Sequence, residues 1–173
     1  AGSAETGLAA LKAGADAIYL GLQRFNARER GRNFTEDELA RLVEYARRKD
    51  KRVYLTLNTL IKEAELPLLA EQLCRIAPIR PHAVIVQDLG LLRLLRRHFP
   101  ELAIHASTQM GLHNSAGIRL FEELGVERVI LQRQTTLEEL ELILKRVRLE
   151  VEVAPRIAEV RATRLVRPRA AWP

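Results

Sequence analysis

The chain has 173 residues, 47% of them hydrophobic and 29% charged, which is ordinary globular usage and excludes disorder of the whole chain. No apolar run reaches the roughly 18 to 20 residues that cross a bilayer, and Ala1–Ala15 has no basic start followed by an apolar block, so no membrane association and no signal peptide are expected. The one cysteine, Cys74, excludes an intramolecular disulfide and fits the reducing cytoplasm.

The net charge of +6 invites a nucleic-acid reading, but its distribution weakens it. Residues 154–173 carry five arginines against Glu159 alone, while residues 1–153 carry 23 basic and 21 acidic side chains. The body is nearly neutral. The only methionine is Met110, so the chain is expected to begin inside something longer or to have lost its start.

In chain order, a helix over Leu8–Ala13 meets Gly14, which suits a left-handed cap, and leads to a strand at Ala17–Leu20. Thr35-Glu36-Asp37-Glu38 fits a capping box, and Leu39, Leu42, Val43 and Ala46 have helical period. The strand Val53–Asn58 follows. Leu66, Leu69, Ala70 and Leu73 form the next helical stripe, where Cys74 is expected to be a buried small hydrophobe. Then come the strand Ala83–Asp88, a helix from Leu89, and the strand Ala103–Ser107. The helix Ile118–Leu124 meets Gly125 before the strand Arg128–Arg133. Thr136–Glu139 is a second capping box, with a stripe of Leu137, Leu140, Ile143 or Leu144, and Val147, and Leu149–Val153 is the sixth strand. Strict alternation implies parallel strands with helical crossovers. A doubly wound sheet would usually carry glycines in its first strand–helix turn, and neither GxGxxG nor a phosphate loop occurs. The expected class is therefore α/β, an incomplete (β/α)8 TIM-like barrel over residues 1–153. Residues 154–173 are expected to be a basic tail, disordered or translated out of frame.

Barrel chemistry sits at the C-terminal ends of the strands, and polar residues collect there: Asn58, Gln87 and Asp88, then His105, Ser107, Thr108 and Gln109, then Arg133. Period-2 geometry puts Tyr54, Thr56 and Asn58 on one face and Val53, Leu55 and Leu57 on the other. Likewise His105, Ser107 and Gln109 share the inner face. His105 is the best proton-transfer candidate because its ordinary pKa lies near neutrality. Asp88 and Ser107 complete the catalytic candidates. Each has a structural alternative: Asp88 as the cap of the following helix, Asn58 and Ser107 as turn residues, His105 as a core histidine. A guanidinium buried at Arg133 would need acceptors or an anionic ligand. Arg24, Arg28, Arg30 and Arg32 beside Phe25, Asn26 and Asn33 make an anion- or RNA-facing loop, with a merely solvated loop as the alternative. No HExxH and no GxSxG occurs.

These strings together resemble the collagenase-like peptidase family, peptidase family U32: Ala13–Gly21, Arg24–Arg28, Thr56–Leu60, Val84-Ile85-Val86-Gln87-Asp88-Leu89-Gly90 and Ile104-His105-Ala106-Ser107-Thr108-Gln109-Met110. The resemblance implies the N-terminal barrel of a larger cytoplasmic protein acting as a protease on peptides; the strand-end residues Asn58, Gln87, Thr108, Gln109 and Arg133, with Arg28 of the arginine loop, are expected to bind substrate. It also implies an alternative, hydroxylation of RNA bases or of a quinone precursor with an iron–sulfur cluster held by cysteines. This sequence has no cysteine after Val153 and reads Arg133-Gln134 where the family has Arg-Glu, so no cofactor is expected in this chain. A third expectation is a non-catalytic or inactive nucleic-acid-binding fragment. Parallel edges would then need the rest of the barrel or a partner to cover them.

Overall fold

The computed structural model describes residues 1–29, 31–153 and, for the backbone, 164–166. Two compact units divide the chain, Ala1–Ala103 and Ile104–Pro173.

The first unit contains α1 (Ala4–Lys12), β1 (Ala17–Gly21), α2 (Glu36–Arg48), β2 (Arg52–Leu57), α3 (Leu66–Ile76), β3 (Ala83–Val86) and α4 (Leu89–His98). Its strands pair in parallel in the order β1-β2-β3, with Leu20 opposite Leu55 and Leu55 opposite Val84. Gly14 sits at φ +102° and lets Ala15 N–H reach back to Ala10 O at 3.0 Å, the helix stop its sequence position predicts. Thr35 and Glu38 make the expected reciprocal cap, and Leu39, Leu42, Val43 and Ala46 are all buried. On β2, Val53, Leu55 and Leu57 are fully buried and Thr56 and Asn58 are half-buried, while Tyr54, read onto the same face as those two, is buried as well. The α3 stripe is Leu69, Gln72, Leu73 and Ile76. Cys74 is exposed, contrary to expectation: at 100° per residue it lies about 140° around the helix from Leu69. The buried polar residue there is Gln72.

The second unit contains β4 (Ile104–Ala106), α5 (Ser115–Glu123), β5 (Arg128–Ile130), α6 (Leu137–Leu144), β6 (Glu150–Val153) and β7 (Arg164–Val166). β4, β5 and β6 are parallel, and β7 runs antiparallel to β6, a strand the alternation does not predict. The rest of the basic tail, 154–163 and 167–173, lies outside the described residues. Gly125, at φ +78°, ends α5 as Gly14 ends α1, with Val126 N–H on Phe121 O at 2.9 Å. Thr136 and Glu139 form the second capping box. Leu137 is exposed, while Leu140, Ile143 and Val147 are buried. Both β4 and β5 stop short of their sequence-predicted ends, at Ala106 and Ile130. Ser107 Oγ accepts Gln109 N–H at 3.3 Å and turns the chain into a 3-10 turn over Thr108–Met110, closed by Gly111 at φ +71°.

Candidate functional site

In the first unit the site is built on the loop that follows β1. Asn26 is 3% exposed. Its amide donates to Leu22 O, and its Oδ1 accepts Arg28 N–H at 2.8 Å. Asn58, just past β2, accepts Ala27 N–H at 3.2 Å and so ties this loop to the neighbouring strand. Asn33 donates to three carbonyls, those of Arg28, Glu29 and Gly31, at 2.9 to 3.2 Å. Phe25 is held at φ +62°, a conformation a bulky L-residue avoids, with its ring buried. The loop is thus internally fixed, and it leaves the Arg28 side chain exposed beside a cavity of about 570 Å³ that Thr59 also lines. Arg24 is exposed on the same loop.

Gly21 is the position this loop cannot spare. A Cβ there would lie 2.6 Å from Asn26 Cγ and 2.9 Å from its Cβ, and Asn26 has no room to yield without breaking both of its bonds. Gly21→Ala is expected to cost about 1–3 kcal/mol, the range for overpacking, and to make the loop 22–33 cleavable by a protease that leaves the wild type intact. Limited proteolysis with N-terminal sequencing checks this; an equally resistant loop would refute it.

Asp88 is the N-cap of α4. Its Oδ1 accepts Leu91 N–H at 2.8 Å and its Oδ2 accepts Ile61 N–H at 3.2 Å. The structural alternative is therefore realised, and it goes further than a cap, because the second bond anchors the loop after β2. Gln87 is half-buried at the end of β3.

In the second unit His105 is 4% exposed and stands in register with Arg128 on β5, which in turn stands in register with Glu150 on β6. Side chains at matched positions of parallel strands share a face, so these three form one row. Arg128 is the buried guanidinium of this unit. Nη2 and Nε meet Glu150 Oε2 at 2.7 and 3.1 Å, and Nη1 meets Glu152 Oε2 at 3.2 Å. Burial pushes the Glu152 carboxyl above the usual carboxylate range, while Arg128 opposes that rise. Arg133, expected as a buried cation, is exposed because β5 has already ended. Sequence reasoning misses Arg128. The available signal is Glu150-Val151-Glu152, two carboxylates on one strand face. Ser107 is 2% exposed. Thr108 O accepts the Gln132 amide at 2.7 Å, which joins the turns after β4 and β5. Gln109, expected on the strand face, lies in the 3-10 turn and is exposed.

Among the described residues no group of three His, Cys, Asp or Glu could hold a metal ion. An iron–sulfur cluster needs several cysteine thiolates, and this sequence supplies Cys74 alone. The residues present do not fit that group.

Three comparisons bear on the family and the fold. The family model described as "Peptidase family U32" matches residues 2–154. The chain is 36% identical over 141 residues to tRNA hydroxylation protein P of Escherichia coli, covering 81% of this chain and 31% of that protein. It is also 36% identical over 147 residues to an uncharacterized protease of Methanocaldococcus jannaschii, covering 83% of this chain and 35% of that protein. It therefore spans about a third of the length of these curated relatives. The solved structure of the U32 peptidase Mk0906 superposes with a TM-score of 0.62 at 18% identity, covering 81% of this chain and 60% of that one. That likeness shows the fold: α/β, parallel strands alternating with helices as in an incomplete TIM-like barrel.

Proposed function

Because the chain belongs to peptidase family U32, we propose that it is a barrel segment of an RNA-hydroxylating enzyme and that the loop after β1 seats the RNA. The observation that carries this reading is a fixed loop bearing exposed cations. Arg24 and Arg28 have no ion-pair partner among the described residues, and Asn26, Asn33 and Asn58 hold the backbone beneath them. Guanidinia presented on a rigid frame suit phosphate oxygens, which they meet as a planar fork. The E. coli relative's name supports RNA hydroxylation as the activity. In this reading His105 is the proton-transfer residue. The oxidation itself is not assigned to this chain's residues.

A peptidase is the second reading, favoured by the name of the M. jannaschii relative. It is the weaker, because Ser107 Oγ is already engaged with Gln109 N–H in a turn and no other nucleophile–base pair stands out among the described residues.

Titration of labelled tRNA across a salt series tests the proposal. The wild type should bind at about 50 mM salt, with log K falling linearly as log salt rises. Arg24→Gln with Arg28→Gln should flatten that slope by about 0.7 to 0.9 for each phosphate the arginines cease to neutralise. Absence of binding at low salt, or an unchanged slope, would sink it. Cleavage of peptides abolished by Ser107→Ala would instead support the second reading.

A further inference from the structure

A second concavity opens on the other part of the same loop. It is a groove of about 440 Å³, walled by Leu22, Phe34 and Leu68, a volume in the range of small-molecule sites. Gln72, from the buried stripe of α3, also lines it. Gln72 is 5% exposed, and its amide has no hydrogen-bond partner among the described residues. The amide itself is not sealed from water; it opens on the groove, where water or a ligand satisfies it. The nearby charges are sorted. Glu36 is held by Arg75 through Nε at 2.9 and 3.1 Å. Arg24 and Asp37, which also line the groove, have no such partner among the described residues.

The groove therefore offers an amide that both donates and accepts, a free carboxylate that accepts, and a cation, between apolar walls. A phosphate alone would take the cation and the amide N–H, but it would leave the amide oxygen without a donor and meet Asp37 unfavourably. A nucleobase edge sets donors and acceptors side by side and carries its phosphate with it. Glutamine and aspartate are matched to such edges, and unpaired RNA bases are read this way. We propose that this groove receives one unstacked base of the bound RNA, read by Gln72 and Asp37, with Arg24 on the adjoining phosphate. The inference rests on the RNA reading above and deepens it, by making part of the recognition base-dependent.

The test measures binding of short single-stranded homopolymers of each base, at fixed salt, to the wild-type chain, Gln72→Leu and Asp37→Asn. Gln72→Leu replaces an unpaired amide with an apolar residue of similar size in an apolar stripe, so folding should be retained. Asp37→Asn changes an exposed residue and serves as the independent check. The wild type should rank the four bases. Gln72→Leu should weaken the preferred one by about five- to tenfold and level the ranking, with the salt slope unchanged. Asp37→Asn should reorder the ranking. If RNA still binds and both variants keep the wild-type ranking, the groove is not a base seat, while the RNA reading stands. If no RNA binds the wild type, both fall together.

Discussion

Arg128→Met should destabilise the protein by about 3–5 kcal/mol, the range for removing one member of a buried ion pair. The side chain of Arg128 is 4% exposed, against 29% for Glu150 and 16% for Glu152. One cation therefore pairs with two carboxylates that have limited access to water. Without it, Glu152 loses its guanidinium in a site with limited access to water, and the two carboxylates repel each other. The pH response gives this loss a signature. The Glu152 carboxyl is already raised above its ordinary value of 4.5, mainly by burial. Removing Arg128 takes away a factor that lowers it, so it should rise further. A group that binds its proton more tightly when folded lowers stability as pH rises through the interval from its unfolded to its folded value. The variant should therefore be more stable near about pH 5 than near about pH 7. Urea unfolding at the two pH values measures both effects. A variant within about 1 kcal/mol of wild type, or one that gains stability toward neutral pH, would show that the carboxylates do not depend on Arg128. Replacing Arg128, Glu150 and Glu152 together by apolar residues should recover most of the loss, as buried ion clusters often allow.

The second large effect falls on Asp88. Asp88→Ala removes a helix cap, which is worth about 0.5–2 kcal/mol. It also strips Ile61 N–H of its acceptor, which adds about 1–3 kcal/mol where water cannot reach. Asp88→Asn keeps an oxygen for one donor and turns an N–H₂ toward the other, so it should fall between Ala and wild type. Equilibrium unfolding orders the three. Hydrogen exchange locates the second effect: the Ile61 amide should lose protection in Asp88→Ala well before β2 does. If Asp88→Ala unfolds like wild type and Ile61 stays protected, the anchoring role is wrong.

Much of the fold is legible because burial follows periods that a sequence displays. The stripe Leu39, Leu42, Val43, Ala46 and the alternation Val53, Leu55, Leu57 need no tertiary information, and the Thr35 and Thr136 caps are written in four consecutive letters. Legibility fails where the deciding interaction is non-local. Arg128 opens its strand beside Glu127 and reads as a solvated end; only the register with Glu150 reveals it as buried. Arg133 reads as an inner residue because nothing local marks the end of β5 three residues earlier. Gln109 reads as a strand residue because the hydroxyl of Ser107 suits either a strand or the start of a turn. Cys74 reads as buried because Leu69, Leu73 and Cys74 look like one cluster until the true stripe through Gln72 and Ile76 sets the phase. For the candidate site, Asn58 and Asp88 are found from position alone. What they do, bracing two loops through backbone N–H groups, depends on partners about thirty residues away. Asn26, which organises the loop after β1, shows in the sequence only as a neighbour of arginines.

The left-handed Phe25 has a kinetic consequence. A loop that must find such a backbone conformation after meeting its ligand would associate slowly, in a step limited by rearrangement and insensitive to charge. Here the unfavourable torsion is already adopted and sealed by a buried ring. Encounter with a polyanion should then proceed in one phase, at a rate set by electrostatic attraction and ionic strength.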